Sequence, residues 1–128
     1  MKFNFDWNYI SAGAPYVTIS ELSIGFNANS IKLLNNAKEV ALGFDEEKKA
    51  IGIKNSDDIE NAKTYIFYDR MKNGWVRIGC KDFIRYLSAV TGVSFTPAKK
   101  YIARYDKEDK LLYILINDEE VIDEEKNE

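Results

Sequence analysis

Apolar and polar residues alternate from the first positions of the chain. In "MKFNFDWNYI" Phe3, Phe5, Trp7 and Tyr9 are separated by polar residues, which predicts a strand over residues 2–9. "SAGAP", residues 11–15, carries Gly13 and Pro15 and predicts a turn. "YVTIS" and "LSIGF" follow as two short β-prone pieces. "NANSIKLLNN" then changes period. Ile31 and Leu34 lie three apart, Asn27 or Asn29 can cap a helix start, and Asn35 or Asn36 can end it. "EVALGF" and "KAIGIK" flank the charged "DEEK" and predict a hairpin. "NSDDIENAK", residues 55–63, is polar and acidic and has the composition of a linker.

The order then repeats. "TYIFYD" predicts a strand, "RMKNG" a turn built on Asn73-Gly74, and "WVRIG" a second strand. "KDFIRYLSAVTG" spaces Phe83, Ile84, Leu87 and Val90 as one helix face, with Gly92 as its stop. "VSFTPAK" is an added loop, after which "KYIARYD" and "KLLYILI" form a hairpin around "KED". The two hairpins align residue by residue: Phe44 with Tyr105, Asp45 with Asp106, Glu47 with Glu108, Lys49 with Lys110 and Ile53 with Ile114. Upstream, Ile24-Gly25 aligns with Ile78-Gly79, and Ile31 and Leu34 align with Ile84 and Leu87. The pattern predicts an internal duplication: a first repeat over 1–54 with its N-terminal strand, a linker at 55–63, a second repeat over 64–118, and a tail at 119–128. A unit of about 50 residues buries little surface alone, and two copies can cover each other's strand edges. The expected fold class is α+β, mainly β, with duplicated strand–helix–hairpin units closing a small barrel.

Composition narrows the function classes. The chain of 128 residues has 45% apolar and 30% charged residues, which suits a globular core. It has no histidine and one cysteine, Cys80. A disulfide within the chain and a Cys- or His-based metal site are therefore out of reach, and the commonest general base is missing. The expectation is a non-enzymatic protein with no cofactor. No apolar run reaches the roughly 20 residues of a membrane span, and the expected location is cytoplasmic. Charge is unevenly spread. Residues 1–63 carry 7 Lys/Arg against 9 Asp/Glu, residues 64–118 carry 10 against 6, and residues 119–128 carry 1 against 6. The second half is thus mildly basic beside an acidic tail.

The segments "ISELSIGFNANSIKLLNNAKEVALGFDEEKKAIGIK" and "GWVRIGCKDFIRYL…YIARYDKEDKLLYILI" resemble the swapped-hairpin barrel of the AbrB/MazE/SpoVT group in order and patterning. That resemblance implies a strand, a short helix and a hairpin with an acidic turn in each copy. Two copies in one chain imply an internal pseudo-dimer, complete as a monomer or paired again as a homodimer. It also implies a DNA-binding transcriptional regulator whose cations lie on the strand-to-helix segment. Lys32 is the cation there in the first half; Arg77, Lys81 and Arg85 stand there in the second.

The residues bear on that implication. Arg77, Lys81 and Arg85 are four apart, and Arg70 and Lys72 precede them; cations so spaced can neutralise successive phosphates of double-stranded DNA. An ordinary solvated helix face has the same composition. Lys99, Lys100 and Arg104 suit an edge strand kept soluble by charge. The tail "NDEEVIDEEKNE" suits a disordered solvating segment, or a partner-binding segment anchored by Val121 and Ile122. The alternative function is therefore a protein-binding module, antitoxin-like, acting through this tail or a sheet edge. Trp75, Tyr65, Phe67 and Tyr68 suit cross-strand and core packing, and Cys80 suits a small buried residue.

Overall fold

The structure, a computed structural model, describes residues 14–116. The strand expected at 2–9, part of the "SAGAP" turn, and the tail with Val121 and Ile122 lie outside the described residues. Among the described residues, nine strands form two antiparallel sheets. Strands β1 (Tyr16–Ile19), β2 (Ser23–Phe26), β6 (Val76–Gly79) and β7 (Lys99–Ile102) make a four-stranded sheet in the order β6-β2-β1-β7. Strands β3 (Glu39–Asp45), β4 (Ala50–Asn55), β5 (Thr64–Ile66), β8 (Arg104–Asp106) and β9 (Leu111–Leu115) make a five-stranded sheet in the order β5-β3-β4-β9-β8. Helix α1 (Ala28–Leu33) follows β2, and the longer α2 (Lys81–Thr91) follows β6. The protein is α+β and mainly β. The closed barrel expected from the sequence is not formed: the described residues build two separate sheets, with β6 and β7 at the ends of one and β5 and β8 at the ends of the other. No helix among the described residues is long and apolar enough to cross a membrane.

Local chemistry explains most boundaries. Asn27 caps α1, its Oδ1 accepting from Ser30 N at 3.1 Å, and Asn35 and Asn36 adopt positive φ just past its end. Gly92, with φ of 74°, ends α2. Asn73 and Gly74 both have positive φ, and Lys72 and Trp75 exchange backbone hydrogen bonds of 2.7 and 3.0 Å around them. The two charged hairpin turns are built alike. Asp45 Oδ1 accepts from Lys48 N, and Asp106 Oδ1 accepts from Glu108 N and Asp109 N. Lys49 and Lys110 close the turns at φ of 55° and 51°. These aspartates are turn formers. Among the described residues no group of acidic side chains is arranged to hold a metal.

Register links the two halves. One pair aligned at a spacing of 61, Gly52 and Tyr113, meets on neighbouring strands near the centre of the five-stranded sheet, and Ile51 with Ile114 and Ile53 with Leu112 flank it antiparallel. In the other sheet Ile24 pairs with Ile78, its own aligned partner. The outer pairings cross over as well: β1 pairs with β7, and β5 pairs with β3. Each half therefore lends its first strand to the third strand of the other.

Two strands differ from expectation. "TYIFYD" is strand only to Ile66. Phe67 turns inward with no exposure, its N–H donates to Lys38 O at 2.8 Å, and Tyr68–Arg70 coil into a 3₁₀ turn. "KYIARYD" is split at Ala103, whose N–H donates to Pro15 O at 2.9 Å beside β1. The chain leaves one sheet at that point and enters the other. The linker stretch is also shorter than read, since Asn55 completes β4 and Ser56–Asp58 form a 3₁₀ turn. Between the sheets, Val17, Ile24, Phe26, Ile51, Phe67, Leu87, Leu112 and Ile114 form the fully buried core.

Candidate nucleic-acid interface

Strand β6 alternates Val76 and Ile78 inward with Arg77 and Gly79 outward, so its register aims Arg77 away from the core. Cross-strand pairing extends this position into a row. Arg77 pairs with Gly25, Gly25 with Thr18, and Thr18 with Lys100. The row runs across the four-stranded sheet from β6 to β7, about 14 Å at the usual strand spacing, with Arg77 exposed, Gly25 buried and Thr18 and Lys100 half-buried. A cation stands at each end, with Gly25 and Thr18 keeping the middle low. A shallow groove of about 460 Å³ lies here, lined by Thr18, Ser20, Ser23, Gly25, Trp75 and Arg77 among others. Trp75 is 45% exposed at its rim, a correction to its expected packing role. Lys100 also sits 4.6 Å from the Tyr16 ring centroid, a cation–π contact that holds its side chain on this face.

Of the other cations named from the sequence, Lys32, Arg70, Lys72, Lys81 and Arg85 are exposed, while Lys99 and Arg104 are half-buried. Arg70 ends the 3₁₀ turn and Lys72 begins the Asn73-Gly74 turn, both on the hairpin leading into β6. Lys81 and Arg85 lie one helical turn apart on α2. They do not share the groove of Arg77. The tight turn of residues 20–23 stands between: Ser20 and Ser23 face the sheet groove, while Glu21 and Leu22 face α2. Lys81 is in the first turn of α2, where the helix dipole disfavours a cation, so helix stability gives no reason for it. The strand–helix segment thus presents two adjoining basic surfaces. Lys99 and Lys100, expected to protect an edge strand, are indeed on the edge strand β7, and Lys100 also completes the Arg77 row. Pairing across three strands placed it there, and its own neighbourhood in sequence carries no such signal.

The opposite surface differs in charge. On the five-stranded sheet a groove of about 490 Å³ has Ala50, Gly52, Leu111, Tyr113 and Leu115 in its floor. Asp45, Asp106 and Asp109 stand at its rim with Lys48.

Cys80 precedes α2 and is buried, with its N–H donating to Leu22 O at 3.0 Å. Burial pushes its thiol up to about 11, outweighing a hydrogen bond from the Ile24 backbone and the charge of Lys63. The folded protein holds this proton to higher pH than the unfolded chain. The associated stability is complete below pH 9.0 and is lost as the pH rises toward 11. Reaction of the native protein with Ellman's reagent at pH 8 is expected to run about a hundredfold slower than that of the urea-unfolded chain. Equal rates would contradict the burial.

No protein-family model, curated protein or solved structure matches this chain.

Proposed function

We propose that this protein is a non-enzymatic DNA-binding regulator of the AbrB-like kind, in which two strand–helix–hairpin units in one chain act as an internal pseudo-dimer. The observation that carries the reading is the row from Arg77 to Lys100 across the four-stranded sheet, flanked by the exposed Lys81 and Arg85 on α2. Its span of about 14 Å compares with a major groove of about 12 Å. Arg70, Lys72, Arg77, Lys81 and Arg85 would engage phosphates, and Ser23, Thr18 and Trp75 would lie nearest the base edges. The acidic rim on the five-stranded sheet favours one-sided docking, since that face repels a duplex. The expected setting is the cytoplasm.

The test is fluorescence anisotropy with mixed duplex fragments across a salt series. Wild type is expected to bind in the micromolar range at low salt. The logarithm of affinity should fall with the logarithm of salt at a slope of about −4, as for four to five neutralised phosphates. The variant Arg77→Ala/Lys81→Ala/Arg85→Ala should reduce that slope by about 3 units, roughly one per lost contact. No binding at low salt would overturn the reading.

One observation favours a second reading. The five-stranded sheet offers an apolar groove and the end strands β5 and β8, which suits a protein-binding module. Absence of DNA binding together with capture of a protein through this face would select it. The anchors Val121 and Ile122 lie outside the described residues.

A further inference from the structure

The second repeat differs from the first by a longer helix and by the added segment 93–99. These two features meet. Together with the turn at residues 20–23 they enclose a groove of about 480 Å³, within the usual size range of small-molecule sites. One wall is α2, which presents Lys81, Arg85 and Ser88 at positions i, i+4 and i+7. The lining between the walls is mixed: Leu22 and Val93 supply its accessible apolar surface, Ile84 and Phe95 lie beneath, and Ser94 and Thr96 are polar. Leu22 is 59% exposed, while Ile84 and Phe95 are buried at 2% each. Glu21 stands among the lining residues and accepts a hydrogen bond from the Thr96 hydroxyl, which ties the added segment to the β1–β2 turn.

This lining specifies a ligand class. Two cations one turn apart, with a hydroxyl one turn further, match a dianion better than a carboxylate. Arginine supplies a fork for two phosphate oxygens and lysine a point charge beside it. Leu22 and Val93 offer apolar contact to a ring body attached to that anion. Glu21 repels the anion toward α2 and leaves a carboxylate oxygen to accept from a hydroxyl or amine at the far end of the ligand. We infer that the groove between α2 and residues 93–96 binds a phosphate monoester of an aromatic or nucleoside body. Through Lys81 and Arg85, that ligand competes with DNA. The competition rests on the regulator reading; the binding site does not.

The full chain would be titrated with phenyl phosphate, adenosine monophosphate and inorganic phosphate at low salt, following backbone amide shifts by NMR. Saturable shifts confined to residues 81–96 and the 20–23 turn are expected for the two esters. Inorganic phosphate, which lacks the body that covers Leu22 and Val93, should bind at least about tenfold more weakly. Arg85→Gln should weaken the esters by about tenfold or more, the loss expected for a charge-assisted hydrogen bond. Ser94→Trp, at an exposed position of the added segment, should occlude the groove and leave Lys81 and Arg85 in place. Its amide spectrum away from the groove reports whether the fold is intact. Absence of shifts overturns the inference. Equal affinity for inorganic phosphate overturns it too, as do shifts spread evenly over Arg70, Arg77 and Lys100. In the anisotropy assay the esters should displace DNA from wild type and fail to displace it from Ser94→Trp. Ester binding without any DNA binding would keep the site and remove the regulator reading. DNA binding without ester binding would do the reverse.

Discussion

Truncating Phe26 to alanine is expected to lower the stability of this protein by about 3–5 kcal/mol. Phe26 has no exposure. It extends inward from β2, and its ring meets the edge of Phe67 at a centroid distance of 5.0 Å and an interplanar angle of 84°. Phe67 belongs to the segment after β5, so this contact joins the two sheets. The alanine variant loses the transfer free energy of a whole ring, leaves a cavity, and forfeits an edge-to-face pair of about 0.5–1.5 kcal/mol. Domains of this size have total stabilities of about 5–15 kcal/mol, so a large part of the margin disappears. Urea denaturation followed by circular dichroism measures it. Phe26→Leu, which keeps most of the volume, should cost under about 2 kcal/mol. A loss below about 1 kcal/mol for the alanine variant would mean that the ring does not fill the space between the sheets.

The second large effect is expected at Asn27, through hydrogen bonding. Its Oδ1 accepts from Tyr16 N at 2.9 Å and from Ser30 N at 3.1 Å, and its Nδ2 donates to Ala14 O at 2.9 Å. The side chain therefore caps α1 and also continues the ladder of β1. Ser30, fully buried, donates its hydroxyl to Tyr16 O at 2.9 Å and completes the junction. Removing a cap costs about 1 kcal/mol. Stranding the Tyr16 N–H adds about 1–3 kcal/mol. Asn27→Ala should therefore lose about 2–4 kcal/mol by the same denaturation measurement. Asn27→Asp keeps the acceptor and places a negative charge at a helix start, but it turns the donor to Ala14 O into an oxygen facing that carbonyl; it should still lose less than Asn27→Ala. Equal losses for the two variants would show that the acceptor oxygen is not what matters.

Asn27 also illustrates what could be read in the sequence. Its capping role was one of two readings, Asn27 or Asn29, and the structure selects Asn27; such a cap is legible because it depends on residues within one turn of chain. The same holds for Asn73-Gly74, for Gly92, and for the aspartates and lysines of the two charged turns. Each is a short-range device with its own residue signature. The hidden part was which strands become neighbours. Phe67 reads as a strand residue in "TYIFYD", yet it faces the core from a bend. Nothing near it announces that Phe26, some 41 positions away, waits opposite. Ala103 reads as mid-strand and is where the chain changes sheets. The candidate site divides the same way. Exposure of Arg70, Lys72, Arg77, Lys81 and Arg85 followed from their charge. Two features came from tertiary pairing alone: the alignment of Arg77 with Lys100, and the separation of Lys81 and Arg85 into a groove walled by Glu21 and Leu22.

The crossed pairing of the halves has a consequence for how the chain reaches its fold. Strand β1 finds one neighbour, β2, within ten residues, but its other partner β7 lies more than eighty residues downstream, at Lys99–Ile102. Strand β9 likewise completes β4 only when almost all of the described chain exists. Contacts of such high sequence separation slow folding, because loop closure is costly until the last partners arrive. On the ribosome the first half emerges with the edges of β1 and β4 unpaired, a form prone to pairing with a second nascent chain. If two first halves pair in that way, they occupy the edges that β7 and β9 fill in the folded chain. Carrying both halves in one chain makes the search for those edges intramolecular, with residues 56–63 as the tether between β4 and β5.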